Sequence, residues 1–384
     1  MRARWLLAAL ALTVSIAACS PSPPPQATAH TPTATPRPTP TPAPLVMRSN
    51  YCQVTLPTAW RTAFDAGVVG PAEGSDINAF AVSPDGRSVF AAVTGGGWAG
   101  VVRVDAHTGG QDRVAAFPDP GQDQVAWGEF DGRFLVWNEL HSMTNLGDWS
   151  IRAWDENTGS VWTLASSSSQ AQLPGATQFV TPTLSSGTVA WTQAAGDGTA
   201  VHLYSLASRQ DRVVLTGHPA QPVFWGGNLL VPVTPAPGQL NHLVTISAAS
   251  GRQVATPGPL DGLSGVTFLA ASPDRVVWTA SDYKSVWLWM PRARQPVMLT
   301  QSPGGYAEYQ ALAGDVVAWT SPQGVFAADL RSGSYTQITA DGGYAYAAGN
   351  SLLVTQAAGS GKQSPFPAQT AVVTASGLPP LPGC

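Results

Sequence analysis

One pattern recurs seven times from about residue 47 onward, and it constrains the fold more than anything else in the chain. Each unit holds a turn rich in Gly, Asp or Asn, then a short β-branched and aromatic strand often ending in Trp-Thr. A polar loop, a second alternating strand, a Ser/Thr-Gly or basic turn, and a third strand often ending in Leu-Thr follow. Taking Phe90, Trp137, Trp191, Val231, Trp278, Trp319 and Val354 as equivalent, the steps are 47, 54, 40, 47, 41 and 35 residues. The second strand recurs in phase at 101–104, 151–154, 201–204, 243–246, 286–289, 325–328 and 371–374. A further strand upstream of each anchor (79–82, 178–181, 267–270 and 309–312 among them) makes four per unit. Short strands repeating every 35–54 residues are the signature of a β-propeller, one unit per blade. The composition agrees: 39 Gly, 34 Pro and 14 Trp, with no long helix-forming run. The expected fold is therefore all-β, a seven-bladed β-propeller of four-stranded antiparallel blades.

The seventh unit is short. After Ser376-Gly377 the chain offers only Leu378-Pro379-Pro380-Leu381-Pro382-Gly383-Cys384, and three prolines make a poor ladder strand. Residues 51–56 read as a good strand. They are expected to add to the last blade, so that an N-terminal strand closes the ring and hides its edge. Closure would bring Cys52 and Cys384 together from opposite ends of the domain, and a disulfide between them is expected in an oxidising compartment; two free thiols are the alternative.

Residues 1–46 have a different character. Arg2 and Arg4 precede a twelve-residue apolar run, residues 5–16, too short to span a bilayer as a helix. It ends in Ile16-Ala17-Ala18-Cys19, which resembles the lipobox of bacterial lipoproteins. The resemblance implies a signal peptide over 1–19, with Cys19 carrying the lipid and an extracytoplasmic, membrane-anchored chain. An ordinary cleaved signal is the alternative, and it would place the bulky Ile16 where a small residue is preferred. Residues 20–46 hold ten prolines, six threonines and a single charge, Arg37. Such a segment cannot form a core and is expected to be a disordered or polyproline-II linker, reaching up to roughly 80–90 Å at ~3.1 Å per residue. The propeller would then occupy 47–384.

The first repeat contains Ser83-Pro84-Asp85-Gly86, with a degenerate copy at Ser272-Pro273-Asp274-Arg275. This motif is similar to the turn of WD40-like repeats in TolB-type propellers. The resemblance spans about 330 residues, rests on a short motif intact once, and implies a periplasmic or extracellular scaffold without a shared active site.

Chemistry-bearing motifs are scarce. The six histidines are scattered and no His-x-x-x-His or Cys-x-x-Cys spacing occurs, so no metal site and no cofactor is expected. There is no nucleophile elbow and no phosphate-binding glycine loop. Glu129 and Asp131 are available carboxylates, but nothing in the pattern pairs them at a cleft. Charged residues make up 11%, the net charge is −4, and Lys284 and Lys362 are the only lysines. That excludes the electrostatic footprint of a nucleic-acid or anionic-membrane binder.

Trp137, Trp191, Trp278 and Trp319 recur in phase and are expected in the core, whereas Trp98, Trp149 and Trp225 are out of phase. Trp149 lies in the longest inter-strand loop, residues 139–150. With His141, Asn145 and Asp148 it forms a candidate loop for a sugar or peptide, the alternative being that Trp149 folds back to cap its own loop. Two functions remain open. One is a tethered monomeric scaffold that uses a propeller face to bind a protein, peptide or envelope glycan. The other is a propeller enzyme, of glycan lyase, hydrolase or dehydrogenase type, with its site at the channel mouth.

Overall fold

A computed structural model of the chain describes residues 45–70, 76–95, 97–142, 144–167, 180–340, 342–356 and 370–384. The leader with Cys19, the linker up to residue 44, and the start of the strand read at 178–181 lie outside the described residues.

Seven antiparallel four-stranded sheets follow one another along the chain. Blade 1 is Asp76–Val82, Ser88–Gly95, Trp98–Asp105 and Gln111–Ala116; blade 2 is Gln124–Phe130, Phe134–Leu140, Trp149–Asp155 and Ser160–Ser166. Blade 3 is Thr183–Ser185, Thr188–Ala195, Gly198–Ser205 and Gln210–Gly217; blade 4 is Val223–Trp225, Asn228–Val233, His242–Ser247 and Gln253–Val254. Blade 5 is Val266–Ser272, Arg275–Ala280, Ser285–Trp289 and Val297–Gln301; blade 6 is Glu308–Ala313, Val316–Ser321, Gly324–Asp329 and Ser334–Gln337. Blade 7 is Tyr344–Ala348, Ser351–Thr355 and Thr370–Thr374, completed from the N-terminus by Val68–Val69. The first strands touch in sequence around a centre, and that of blade 7 meets that of blade 1, so the ring is closed. This is the seven-bladed β-propeller expected from the repeat.

The anchors behave as their phase requires. Trp137 and Trp319 are fully buried, and Trp191 and Trp278 nearly so. Blades pack on one another through aromatic rings such as Phe90, whose centroid lies 4.7 Å from that of Phe130 in blade 2. Gly128 permits one of these contacts, because a Cβ there would sit 2.6 Å from the Phe80 ring of blade 1. The Ser83-Pro84-Asp85-Gly86 motif links the first two strands of blade 1. The Ser83 hydroxyl donates to Asp85 Oδ1 (2.6 Å), Arg87 N–H donates to the same oxygen (3.1 Å), and Gly86 adopts φ 72°. These bonds hold the Asp85 carboxyl below the usual carboxylate range, the Ser83 bond most strongly. Ser272 repeats the bond to Asp274 (2.9 Å) at the same place in blade 5.

Ring closure differs from the expectation in one respect. An N-terminal strand does complete blade 7, but it is Val68–Val69, antiparallel to Thr370–Thr374. From the segment 51–56, Cys52–Gln53 pairs parallel to Ser334–Gln337 as a fifth strand on blade 6. The intervening helix Thr58–Ala66 buries Trp60 and Phe64 and carries the chain from one blade to the next. The C-terminal tail determines where residues 51–56 go, because it crosses blade 6 rather than extending blade 7. Trp60 Nε1 donates to Pro379 O (2.7 Å), Leu381 N–H donates to Asp329 Oδ2 (2.8 Å), and Ser334 Oγ donates to Pro382 O (2.7 Å). Asp329 is fully buried and also takes Arg331 Nε at 2.8 Å. Cys384 thus arrives beside Cys52, and the two form a disulfide.

Candidate binding face and central cavity

Antiparallel blades give the ring two faces. Loops between second and third strands, and links from one blade to the next, lie on what is termed here the upper face. Turns between first and second strands lie on the lower one.

The candidate loop is on the upper face, between the second and third strands of blade 2, but its four residues do not converge. Trp149 is 1% exposed, packed with Phe134, Ile151 and Trp191 in the core, so its ring is not offered to a ligand. Asn145 Oδ1 accepts the Gly147 N–H (3.0 Å), and the Asp148 carboxylate accepts from Ser167 Oγ (3.4 Å), so both stabilise local turns. His141 is committed inside the blade. Its Nδ1 lies 2.8 Å from Asp123 Oδ1 and its Nε2 3.0 Å from Ser150 Oγ. Asp–His–Ser is the connectivity of an acyl-transfer relay, but Ser150 is 5% exposed with its hydroxyl against the imidazole, out of reach of a substrate carbonyl.

Beside them Glu139, fully buried, accepts from Arg152 Nη1 (3.1 Å) and Trp137 Nε1 (3.2 Å). Burial pushes the Glu139 carboxyl above the usual range, and the Arg152 charge opposes the shift. Ligand atoms of Asp123, Glu139 and His141 lie within 4.8 Å of one another, close enough for a cation. Arg152 already supplies positive charge there, and the network ties together the inner three strands of blade 2.

A central cavity of about 820 Å³ runs between the first strands, from a layer of four rings (Trp127, Phe268, Tyr309 and Tyr346) to the lower turns at Pro84, Asp131, Ser186, Pro273 and Gly349. Its walls are largely Ala, Gly, Ser and Thr, and among the described residues its ionisable groups besides the two tyrosines are Glu129 and Asp131. Glu129 Oε2 accepts the Leu184 N–H (2.6 Å) and the Thr183 hydroxyl (3.2 Å) from blade 3. Burial pushes its carboxyl up to about 7, and those bonds together with the nearby Trp127 indole oppose the shift. Asp131 accepts the Gly187 N–H (2.7 Å), again across to blade 3.

Above the ring layer, aromatic contacts continue onto the upper face. Trp127 meets Tyr346 (5.3 Å between centroids) and Tyr309 (5.9 Å), and Tyr309 meets Phe268 (5.2 Å) and Tyr344 (5.8 Å). Phe268 meets Tyr283 (6.3 Å), which meets Tyr306 (6.1 Å). Leu240 lies near Gly265 on the same face, outside this chain of ring contacts. The result is one aromatic ridge from blade 5, over the channel mouth, to blade 2. Phe268, Tyr309 and Tyr283 hold left-handed backbone, at φ 42°, 49° and 58°. Phe268 and Tyr309 do so within bulges of adjacent first strands. Such strain in bulky residues persists only where surroundings impose it, and it concentrates at functional sites.

Exposure shows the same asymmetry. Of the eight large hydrophobic side chains that are exposed among the described residues, Leu146, Leu240, Tyr283, Tyr306 and Tyr344 are on the upper face, with Tyr306 53% and Leu240 58% exposed. The other three, Val68, Val213 and Val254, sit on outer strands. The ridge was not foreseen in the sequence. The available signal was that Phe268 and Tyr309 fall in the inner strands of consecutive repeats. The remaining out-of-phase tryptophans are packed, Trp98 under Arg113 (4.9 Å) and Trp225 against Trp289 (5.8 Å).

The fold and this face define a seven-bladed propeller with one apolar side. No family model matches the chain, and no curated protein does. Among solved structures, a prolyl endopeptidase aligns with a TM-score of 0.54 at 12% identity, over 85% of this chain and 50% of that one. The chain thus spans half the length of that protein, and the likeness is one of fold. TolB from Acinetobacter baumannii aligns at 0.45 and 11% identity (70% of this chain, 64% of that one). An oligogalacturonate lyase in complex with manganese aligns at 0.47 and 13% identity (71% and 86%). Among the described residues no helix is long and apolar enough to cross a membrane.

Proposed function

We propose that this chain is a lipid-tethered, extracytoplasmic binding protein of the TolB-like propeller type, and that its upper face docks a protein partner. The observation that carries this reading is the ridge of rings that links Tyr283, Tyr306 and Tyr344 around the channel mouth, with exposed Leu240 on the same face. Contiguous apolar surface of this kind is costly to leave in water, and exposed tyrosines make interface anchors. The aliphatic Leu240 and Leu146 favour a protein over a glycan, which rings and polar groups alone would read. The enzyme reading has less support, because both cavity carboxyls bond to blade 3 and, among the described residues, the lining carries no His, Lys or Arg.

The tether rests on Ile16-Ala17-Ala18-Cys19 and the Pro/Thr segment after it. Cys19→Ser is expected to move the chain from the membrane fraction to the soluble one; retention in the membrane would remove the lipid anchor from this account. For the docking face, full-length wild type and a Tyr283→Ser/Tyr306→Ser/Tyr344→Ser variant are each used to capture proteins from detergent-solubilised envelope. A partner held by wild type should be lost at least about ten-fold by the variant, as expected when hot-spot side chains are removed. Equal recovery on both, or recovery of glycan alone, counts against the reading.

A further inference from the structure

We propose that the central cavity is a second, separate site, and that it takes a small organic cation carrying a quaternary or primary ammonium group. Three features of its lining select that chemistry.

The first is charge. Glu129 and Asp131 are in the wall, and among the described residues that line it there is no Lys, Arg or His. Both carboxyls are bonded only to neutral donors, namely the Leu184, Gly187, Arg133 and Phe134 backbone N–H groups and the Thr183 hydroxyl. Arg133 lies close enough for its charge to act on Asp131, so the carboxyl without a counter-charge is Glu129, and a bound cation would favour its ionised form while an anion would disfavour it.

The second is the ring layer. Trp127, Phe268, Tyr309 and Tyr346 line the upper end of the cavity, and the faces of electron-rich rings attract an ammonium. The phenols stay neutral, since burial raises Tyr309 and Tyr346 above the ordinary tyrosine range. They therefore present quadrupoles and hydroxyl groups rather than charge.

The third is an unsatisfied acceptor. Gln310 is 7% exposed and lies in the same wall, with its amide N–H on the Thr279 hydroxyl and the Ala307 carbonyl. That leaves Oε1 buried with no partner among the described residues, an acceptor for the N–H of a primary ammonium or for the hydroxyl of choline. At about 820 Å³ the cavity is within the range of small-molecule sites.

The Phe268 and Tyr309 rings are shared with the docking ridge, but Glu129 and Gln310 line only the cavity and Tyr283, Tyr306 and Tyr344 lie outside it, so choline binding and partner capture fail separately. The test is calorimetry on the full-length protein with choline, its uncharged carbon isostere 3,3-dimethylbutan-1-ol, and acetate. Choline should bind at least about ten-fold more tightly than the isostere, and acetate should not bind. Glu129→Gln, which keeps the acceptor for Leu184 N–H, should weaken choline by about ten-fold or more while leaving the isostere unchanged. Phe268→Leu, which removes one ring, should weaken choline in the same direction. Equal binding of choline and isostere, no choline binding up to about 10 mM, or a choline affinity unmoved by either substitution would overturn the proposal. Tight binding of a neutral sugar in place of choline would overturn it as well.

Discussion

Replacing Cys52 and Cys384 by serine should lower unfolding stability by up to about 5 kcal/mol, the largest effect expected of any change outside the core. The bond spans 332 residues, and cross-linking so long a loop removes much of the freedom of the unfolded chain. It also locks two edges together, since Cys52–Gln53 is the fifth strand of blade 6 and Cys384 ends the tail bound by Asp329 and Ser334. Contacts of Leu378, Leu381 and Trp60 remain without the bond. The serine variant should therefore still fold, with its urea midpoint well below that of the oxidised wild type and equal to that of the reduced wild type. A midpoint that reduction leaves unchanged would show that the tail contacts alone close the ring.

Glu129→Gln should flatten the pH dependence of stability between pH 5 and 8. An unfolded Glu titrates near 4.5, whereas burial between blades 2 and 3 pushes Glu129 up to about 7. The folded protein therefore favours the protonated carboxyl. Its contribution is fully present below about pH 4.5 and is lost as the pH rises through about 7. At ~1.4 kcal/mol per unit, wild type should lose about 2–3 kcal/mol relative to Glu129→Gln from pH 5 to pH 8. Urea denaturation of both proteins at pH 5, 6.5 and 8 gives the two slopes. Parallel slopes would mean that Glu129 is hydrated in the folded state and titrates as an ordinary carboxyl.

Much of the architecture was legible because a propeller writes its core into its period. Phe90, Trp137, Trp191, Trp278 and Trp319 are buried for the same reason that they recur, each at the centre of a second strand between two neighbouring blades. The Ser83-Pro84-Asp85-Gly86 turn was legible because side-chain chemistry specifies it locally. The closing strand was not, because Val68–Val69 is two residues long and follows a helix whose buried face is only Trp60 and Phe64. The attractive segment at 51–56 was drawn to blade 6 by a tail whose path depends on the buried Asp329, a long-range contact without local signature.

The candidate loop is exposed at Asn145 and Asp148, but the two side chains that were to hold a ligand, Trp149 and His141, are committed to the blade. Trp149 alternates into the core as the first residue of a third strand, and His141 is used by Asp123 and Ser150. The ridge escaped notice for the opposite reason. Phe268 and Tyr309 sit in left-handed bulges, where side-chain alternation is broken. Tyr283 and Tyr306 lie in loops that only the ring geometry brings together.

The most direct test of the docking face is hydrogen–deuterium exchange on the full-length protein, free and with its captured partner. Protection is expected in the upper-face segments 234–241, 281–284, 302–308 and 342–346, with the lower turns around Pro84, Ser186 and Pro273 unchanged. Protection confined to those lower turns or to the outer strands, with the upper segments exchanging as in the free protein, would contradict it.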